Sequence, residues 1–200
     1  MAGDPGRDGG VTGKSVGRSK RVKQVKMRKA FLALVPVLVV PGVVHAADIT
    51  VPMFKIGDAG VGEKIGTVRL FDGNGGLNVQ TRLTGLPPGQ HGFHVHEAAD
   101  CGPKASDGRT GAGLAAGGHY DPDHTGKHEG PQGHGHAGDL PLLTVSADGS
   151  AKTTMKAERL KVADLRGRAL MIHAGGDNYA DQPQPLGGGG TRIACGVIGK

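Results

Sequence analysis

The chain has no tryptophan, two tyrosines and four phenylalanines in 200 residues, but 38 glycines. So few large rings and so many flexible positions argue against a large helical core. Its apolar run from Phe31 to Val44 contains Pro36 and Pro41 and covers fourteen residues, too short for a comfortable membrane span. Ser-His-Asp and paired-carboxylate arrangements are not evident. There are only two cysteines, Cys101 and Cys195, so a disulfide has one possible connectivity.

A net charge of +6 suggests nucleic acid until its location is examined. Residues 1–46 hold nine Lys/Arg against Asp4 and Asp8, a balance of +7; residues 47–200 hold fifteen against sixteen acidic residues, a balance of −1. The folded part is therefore near neutral, and no nucleic-acid partner is expected. The basic segment reads as an export leader: Met27, then Arg28 and Lys29, the apolar run, and Val44-His45-Ala46 at a cleavage site. The alternative is an uncleaved membrane anchor. The expected organisation is a disordered or untranslated extension at 1–26, a signal peptide at 27–46 and one domain at 47–200, without stable membrane association after cleavage. Export into an oxidising compartment favours a Cys101–Cys195 bridge. Closing a loop of that length stabilises a fold by roughly 4–5 kcal/mol in the chain-entropy view.

The remaining chain alternates in short runs. In "GLNVQTRLTGLPPGQ", Leu77, Val79, Thr81 and Leu83 alternate with Asn78, Gln80 and Arg82, the period of a half-buried strand. Similar runs occupy 64–71, 139–145, 151–157, 169–173 and 192–198, with "DGNGG" and "SADGS" as hairpin turns. Many short strands and no 3.6-residue pattern favour an antiparallel sandwich or barrel. Two stretches, roughly 97–138 and 174–191, exceed ordinary connections, and both carry polar chemistry.

Histidine is what the chain has in quantity. In "GFHVHE", alternation puts His94 and His96 on one strand face, with Cα atoms roughly 6.5–7 Å apart, close enough to reach one ion. Residues 117–141, "GGHYDPDHTGKHEGPQGHGHAGDLP", hold His119, His124, His128, His134, His136 and Asp139. His173 ends the apolar run "RALMIH". His91 reads as structural, its ring bonding loop carbonyls. An H-x-H pair or a strand-end histidine is weak alone; the pattern of strand pair, histidine loop and distant strand end is not.

The segments "HGFHVHE", "AGGHYDP", "KHEGP", "HAGDLP", "IHAGGDN" and "RIACGVIG" follow one another between about Asp48 and Ile198. On these motifs the chain resembles the copper/zinc superoxide dismutases, specifically their exported bacterial branch. The resemblance implies an all-β fold, a Greek-key antiparallel sandwich or flattened eight-stranded barrel with two long functional loops. It implies one copper ion per chain, held by His94, His96, His119 and His173, and one zinc ion, held by His119, His128, His136 and Asp139. His124 and His134 fall where the family has no ligand. Seven residues are one short of two four-coordinate sites, and sharing His119 closes the count. All-nitrogen ligation suits Cu(II), and three histidines with a carboxylate suit zinc. Asp177 resembles the carboxylate that accepts hydrogen bonds from one ligand of each metal.

The implied activity is dismutation of superoxide to dioxygen and hydrogen peroxide by alternate reduction and reoxidation of copper, protecting the cell envelope from the periplasm. His119 would carry a proton, and Arg192 would attract the anion without titrating. The loop before Arg192 has no lysine, unlike the eukaryotic branch, so Arg109, with Lys104 second, is the expected steering charge. The chain is expected as a monomer or homodimer. Two other classes remain: an envelope copper carrier without turnover, and a zinc-stabilised interaction module with an empty copper site.

Overall fold

The computed structural model describes residues 13, 17, 48–106 and 109–199. The expected signal peptide, and the extension before it except Gly13 and Gly17, lie outside the described residues. The described strands are β1 (Asp48–Gly57), β2 (Gly60–Gly73), β3 (Gly76–Leu83), β4 (Gly89–His91), β5 (Phe93–His96), β6 (Lys104–Ser106), β7 (Arg109–Gly111), β8 (Leu143–Val145), β9 (Ala151–Ala157), β10 (Ala169–His173) and β11 (Arg192–Val197). All pairings are antiparallel.

One sheet runs β5-β10-β11-β1-β2-β3-β9, and β4 pairs with β8. β4 and β5 follow one another through Gly92, so the pairing adds β8 at the β5 end of the sheet, the end away from β9. Counting β4–β5 as one strand, and setting aside the β6–β7 ribbon within a loop, gives an eight-stranded flattened barrel. Among the described residues the helical pieces are short 3-10 turns.

Inside lies a core of Val68, Leu70, Leu77, Val79, Leu83, Phe93, Val95, Leu143, Leu170 and Ile172, among others. These are the inward members of the alternating runs, each burial removing apolar surface from water by roughly 1.5–3 kcal/mol.

Two local expectations need correction, and one strand is additional to those read from the sequence. β1 was not anticipated: Pro52 interrupts its run and demotes it as a strand, yet Val51 and Met53 are buried and Pro52 points outward. The run expected at 139–145 is strand only from Leu143, because Pro141 cannot donate to a ladder. "SADGS" closes as a turn, Ser146 N–H donating to Ser150 O at 2.8 Å. It is not a hairpin, because β8 pairs with β4 and β9 with β3. It is the corner where the chain changes sheets.

The outer face of β5 is covered by the long loop. Phe93 and Val95 face the core; His94 and His96 face away from it and are still buried. The loop returns along β5 through Tyr120 N–H to Val95 O (2.8 Å), Val95 N–H to Gly138 O (2.8 Å) and Gly138 N–H to Tyr120 O (2.8 Å). This register sets His119 opposite His96 and Asp139 opposite His94. Gly138 makes it possible: a Cβ there would stand 2.4 Å from Val95 O and 2.9 Å from Tyr120 N. Both are backbone atoms that cannot turn aside. Gly138→Ala is therefore expected to destabilise the metal-free protein by roughly 1–3 kcal/mol, read as a lower denaturation midpoint with an unchanged m-value.

Candidate metal centre

The candidate ligands are placed by several separate pieces of backbone. His94 and His96 stand two apart on β5, and His173 ends the neighbouring β10. His119 and Asp139 are bridged to β5 by the returning loop. His128 lies at the loop's far side, where its backbone N–H donates to Asp181 Oδ2 (2.9 Å). All seven candidate ligands are buried, whereas His124 and His134 are exposed. His91 has its ring nitrogens 2.8 Å from Pro87 O and 2.8 Å from His173 O, the structural role read for it.

Two groups of ligand atoms form. His94, His96, His119 and His173 bring theirs within 4.8 Å of one another, as do His94, His119, His128 and Asp139. His94 joins the second group because its ring stacks on His119 with centroids 3.9 Å apart. Its Nε2, however, is bonded to Asp177 Oδ2 (2.8 Å), leaving Nδ1 as its one free ligand atom. His136 stands at the margin of the second group, its Nδ1 3.6 Å from Asp139 Oδ1. His119 differs from His94 in its partner: its Nδ1 lies 3.0 Å from Asp139 Oδ1, itself a candidate ligand, and its buried Nε2 has no partner.

The donor set fits cations. Among the described residues the buried side-chain polar atoms without a hydrogen-bond partner are His94 Nδ1, His119 Nε2, His128 Nδ1, His136 Nδ1 and Asp139 Oδ2. An unsatisfied buried polar atom costs about 1–3 kcal/mol, and five in one place form a cradle of unpaired ring nitrogens and a carboxylate oxygen. His128 Nδ1 and Asp139 Oδ2 are 3.0 Å apart but off the direction of a hydrogen bond. His96 Nε2 faces His173 Nε2 at 3.3 Å.

Protonation follows burial. Desolvation pushes His119 down to about 4 and His173 to about 3, and lowers His94 and His96 as well. These rings are neutral at pH 7, the form that coordinates metal. His128 is the exception: burial opposes its charge, but the Asp139 and Asp177 carboxylates outweigh burial and raise it to about 9. Burial likewise opposes the charge of Asp139 and Asp177, and their histidine partners nonetheless hold both below the usual carboxylate range.

Asp177 spans the groups, Oδ2 accepting from His94 and Oδ1 from His128 Nε2 (2.7 Å). Tyr179 N–H (2.8 Å) holds it from behind. Arg192 sits across from His173 in the β10–β11 register. Its Nη1 donates to Gly113 O (2.5 Å) and its Nη2 to Gly117 O (2.7 Å), the same carbonyl that accepts from His96 Nδ1 (3.0 Å). Cys101 and Cys195 are bonded, their Cα atoms 5.7 Å apart. With Ala116, Ala169, Met171 and Ile56 they form a small second core that pins the 97–118 loop to β11. Lys104 is exposed at the start of β6, and the Arg109 side chain lies outside the described residues.

Three supporting residues escaped the sequence reading. Asp181 holds the His128 backbone, Glu97 accepts from Gly118 N–H (3.1 Å), and Arg159 donates to the carbonyls of Gly133, Gly135 and His136. No spacing signal marks them, since each acts on backbone far away in sequence.

The arrangement is that of a known family. The model for copper/zinc superoxide dismutase matches residues 64–198. A Salmonella typhimurium protein named superoxide dismutase [Cu-Zn] 2 is 52% identical over 173 residues, 86% of this chain and 99% of the relative. The Escherichia coli superoxide dismutase [Cu-Zn] is 49% identical over the same span. The solved Cu/Zn superoxide dismutase from Brucella abortus superposes with a TM-score of 0.75 at 50% identity, over 76% of this chain and 99% of that one. The chain belongs to the copper/zinc superoxide dismutase family.

Replacing Asp177 by alanine removes an acceptor from two candidate ligands at once. Retention of both metals under chelator challenge is expected to fall roughly 10- to 100-fold; loss confined to one metal would contradict the bridging role.

Proposed function

We propose that this chain is an exported superoxide dismutase, converting two superoxide anions and two protons to dioxygen and hydrogen peroxide. The observation that carries the reading is His119, which belongs to both ligand groups, its Nδ1 against the candidate ligand Asp139 and its buried Nε2 without a partner. His94, His96, His119 and His173 would hold copper, which supplies one-electron redox chemistry when bound. His119, His128, His136 and Asp139 would hold zinc.

The residues divide the remaining work. Arg192, half-buried and tied to the Gly113 and Gly117 carbonyls, presents a fixed positive charge beside the His96–His173 pair. Burial lowers its pKa, but a guanidinium remains charged at any physiological pH. A small anion is thereby attracted and oriented. His119 Nε2, buried and unpartnered, is placed to hold one of the protons peroxide formation consumes. Asp177 fixes the directions of the His94 and His128 rings, and the disulfide fixes the loop whose carbonyls hold Arg192.

Residues 27–46 supply the reading of a periplasmic location and of envelope protection, with residues 1–26 an extension and residues 47–200 the mature domain. The solved Salmonella enterica relative, 54% identical with a TM-score of 0.69, is described as monomeric, which supports the monomer among the monomer and homodimer readings. Arg109 is proposed as the steering charge, with Lys104 second.

Three measurements test this. The secreted mature protein should contain one copper and one zinc per chain and dismutate superoxide; copper without turnover would favour a carrier, and zinc without copper an interaction module. Arg192→Ala should keep both metals and lose roughly 10-fold or more in rate, whereas full activity would remove it from the mechanism. Arg109→Gln should flatten the decline of rate with ionic strength; an unchanged salt dependence would exclude it from steering.

A further inference from the structure

The seven candidate ligands are not held equally well. His94 and His128 are fixed by Asp177, His96 by Gly117 O, His119 by Asp139, and His173 by Gly190 O. Among the described residues, the buried Nδ1 of His136 has no hydrogen-bond partner, and no side-chain or carbonyl contact fixing this ring is seen beyond Asp139 Oδ1 at 3.6 Å. Its backbone lies in an irregular turn, held locally by His136 N–H to Lys127 O (2.9 Å) and Gly133 N–H to Gly130 O (3.3 Å). No backbone N–H among the described residues bonds the carbonyls of Gly133 or Gly135, and that of His136 receives only Asp139 N–H at 3.5 Å.

Those three carbonyls converge on Arg159. Its Nη1 donates to Gly133 O (2.6 Å) and His136 O (3.2 Å), and its Nη2 to Gly135 O (2.5 Å). The guanidinium itself comes from the barrel. Arg159 follows β9 by two residues and stands between Ala157 and Leu160, both buried in the main core. A planar fork with several donors matches three carbonyls on one turn; an ammonium on a flexible stem does not.

We propose that Arg159 is the positioning residue for His136, fastening the turn that carries this ligand to the barrel wall and thereby setting the affinity of the zinc site. The inference rests on the assignment of His136 as a zinc ligand. Among the described residues Arg159 hydrogen-bonds to carbonyls and to no candidate-ligand side chain, so its effect runs through backbone placement and falls on zinc rather than copper.

The experiment uses the full mature chain, with zinc and copper affinities measured separately by competition against chromophoric chelators. Arg159→Gln should weaken zinc binding roughly 10- to 100-fold while copper affinity stays within about twofold of the parent. Arg159→Lys should recover only part of the zinc affinity. Cobalt(II) in the zinc position supplies a spectroscopic reading: its visible absorption should weaken in Arg159→Gln as the four-coordinate geometry loosens. Unchanged zinc affinity and cobalt spectrum, or equal weakening of both metals, would overturn the inference. Should Arg159→Gln not fold, Arg159→Lys decides alone, intermediate zinc affinity supporting the inference and parental affinity overturning it. If the parent protein itself binds no zinc, or if His136→Ala binds it as tightly as the parent, the ligand assignment fails instead.

Discussion

Five nitrogen and oxygen atoms shut away from water with nothing to bond are a standing cost, and the rest of this fold is arranged to hold them there. They lie outside the hydrophobic core, against the wrong side of β5 and β10, where alternation points side chains that ordinarily meet solvent. Two long loops turn that outer face into an interior. The barrel supplies rigidity, and the loops supply exclusion of water. A strand alone would leave His94 and His96 solvated; a loop alone would leave His119 and Asp139 unplaced.

The loops are themselves held by few and specific devices. Backbone bridges to β5 place His119 and Asp139, while the disulfide and its small apolar cluster hold the approach to Arg192. Asp177 reaches across both groups from a third segment. Each device joins positions far apart in sequence, so the geometry of the site belongs to the folded chain and not to any peptide within it.

The alternation at 77–83 and 169–173 was legible because a one-sided strand must bury every second residue, and the histidine pair on β5 followed from the same period. The ligand set became legible only through the joint motifs, since no single histidine in the 117–141 segment differs chemically from its neighbours. What separates His128 and His136 from His124 and His134 is burial, a property of the returning loop. β1 was hidden by Pro52, whose missing N–H counts against a strand until its outward placement is seen. The corner at 146–150 was read as a hairpin because turn residues announce a reversal without saying which partners the flanking strands will choose. Arg159, Glu97 and Asp181 were illegible for a plainer reason: a side chain that serves distant carbonyls or amides leaves no local period.

The main core contains none of the candidate ligands. The packing of the barrel and the donors of the cradle are therefore drawn from separate sets of residues. A change inside the barrel and a change in the cradle therefore act through different terms, the first through apolar packing and the second through how dearly five unpaired atoms are kept from water.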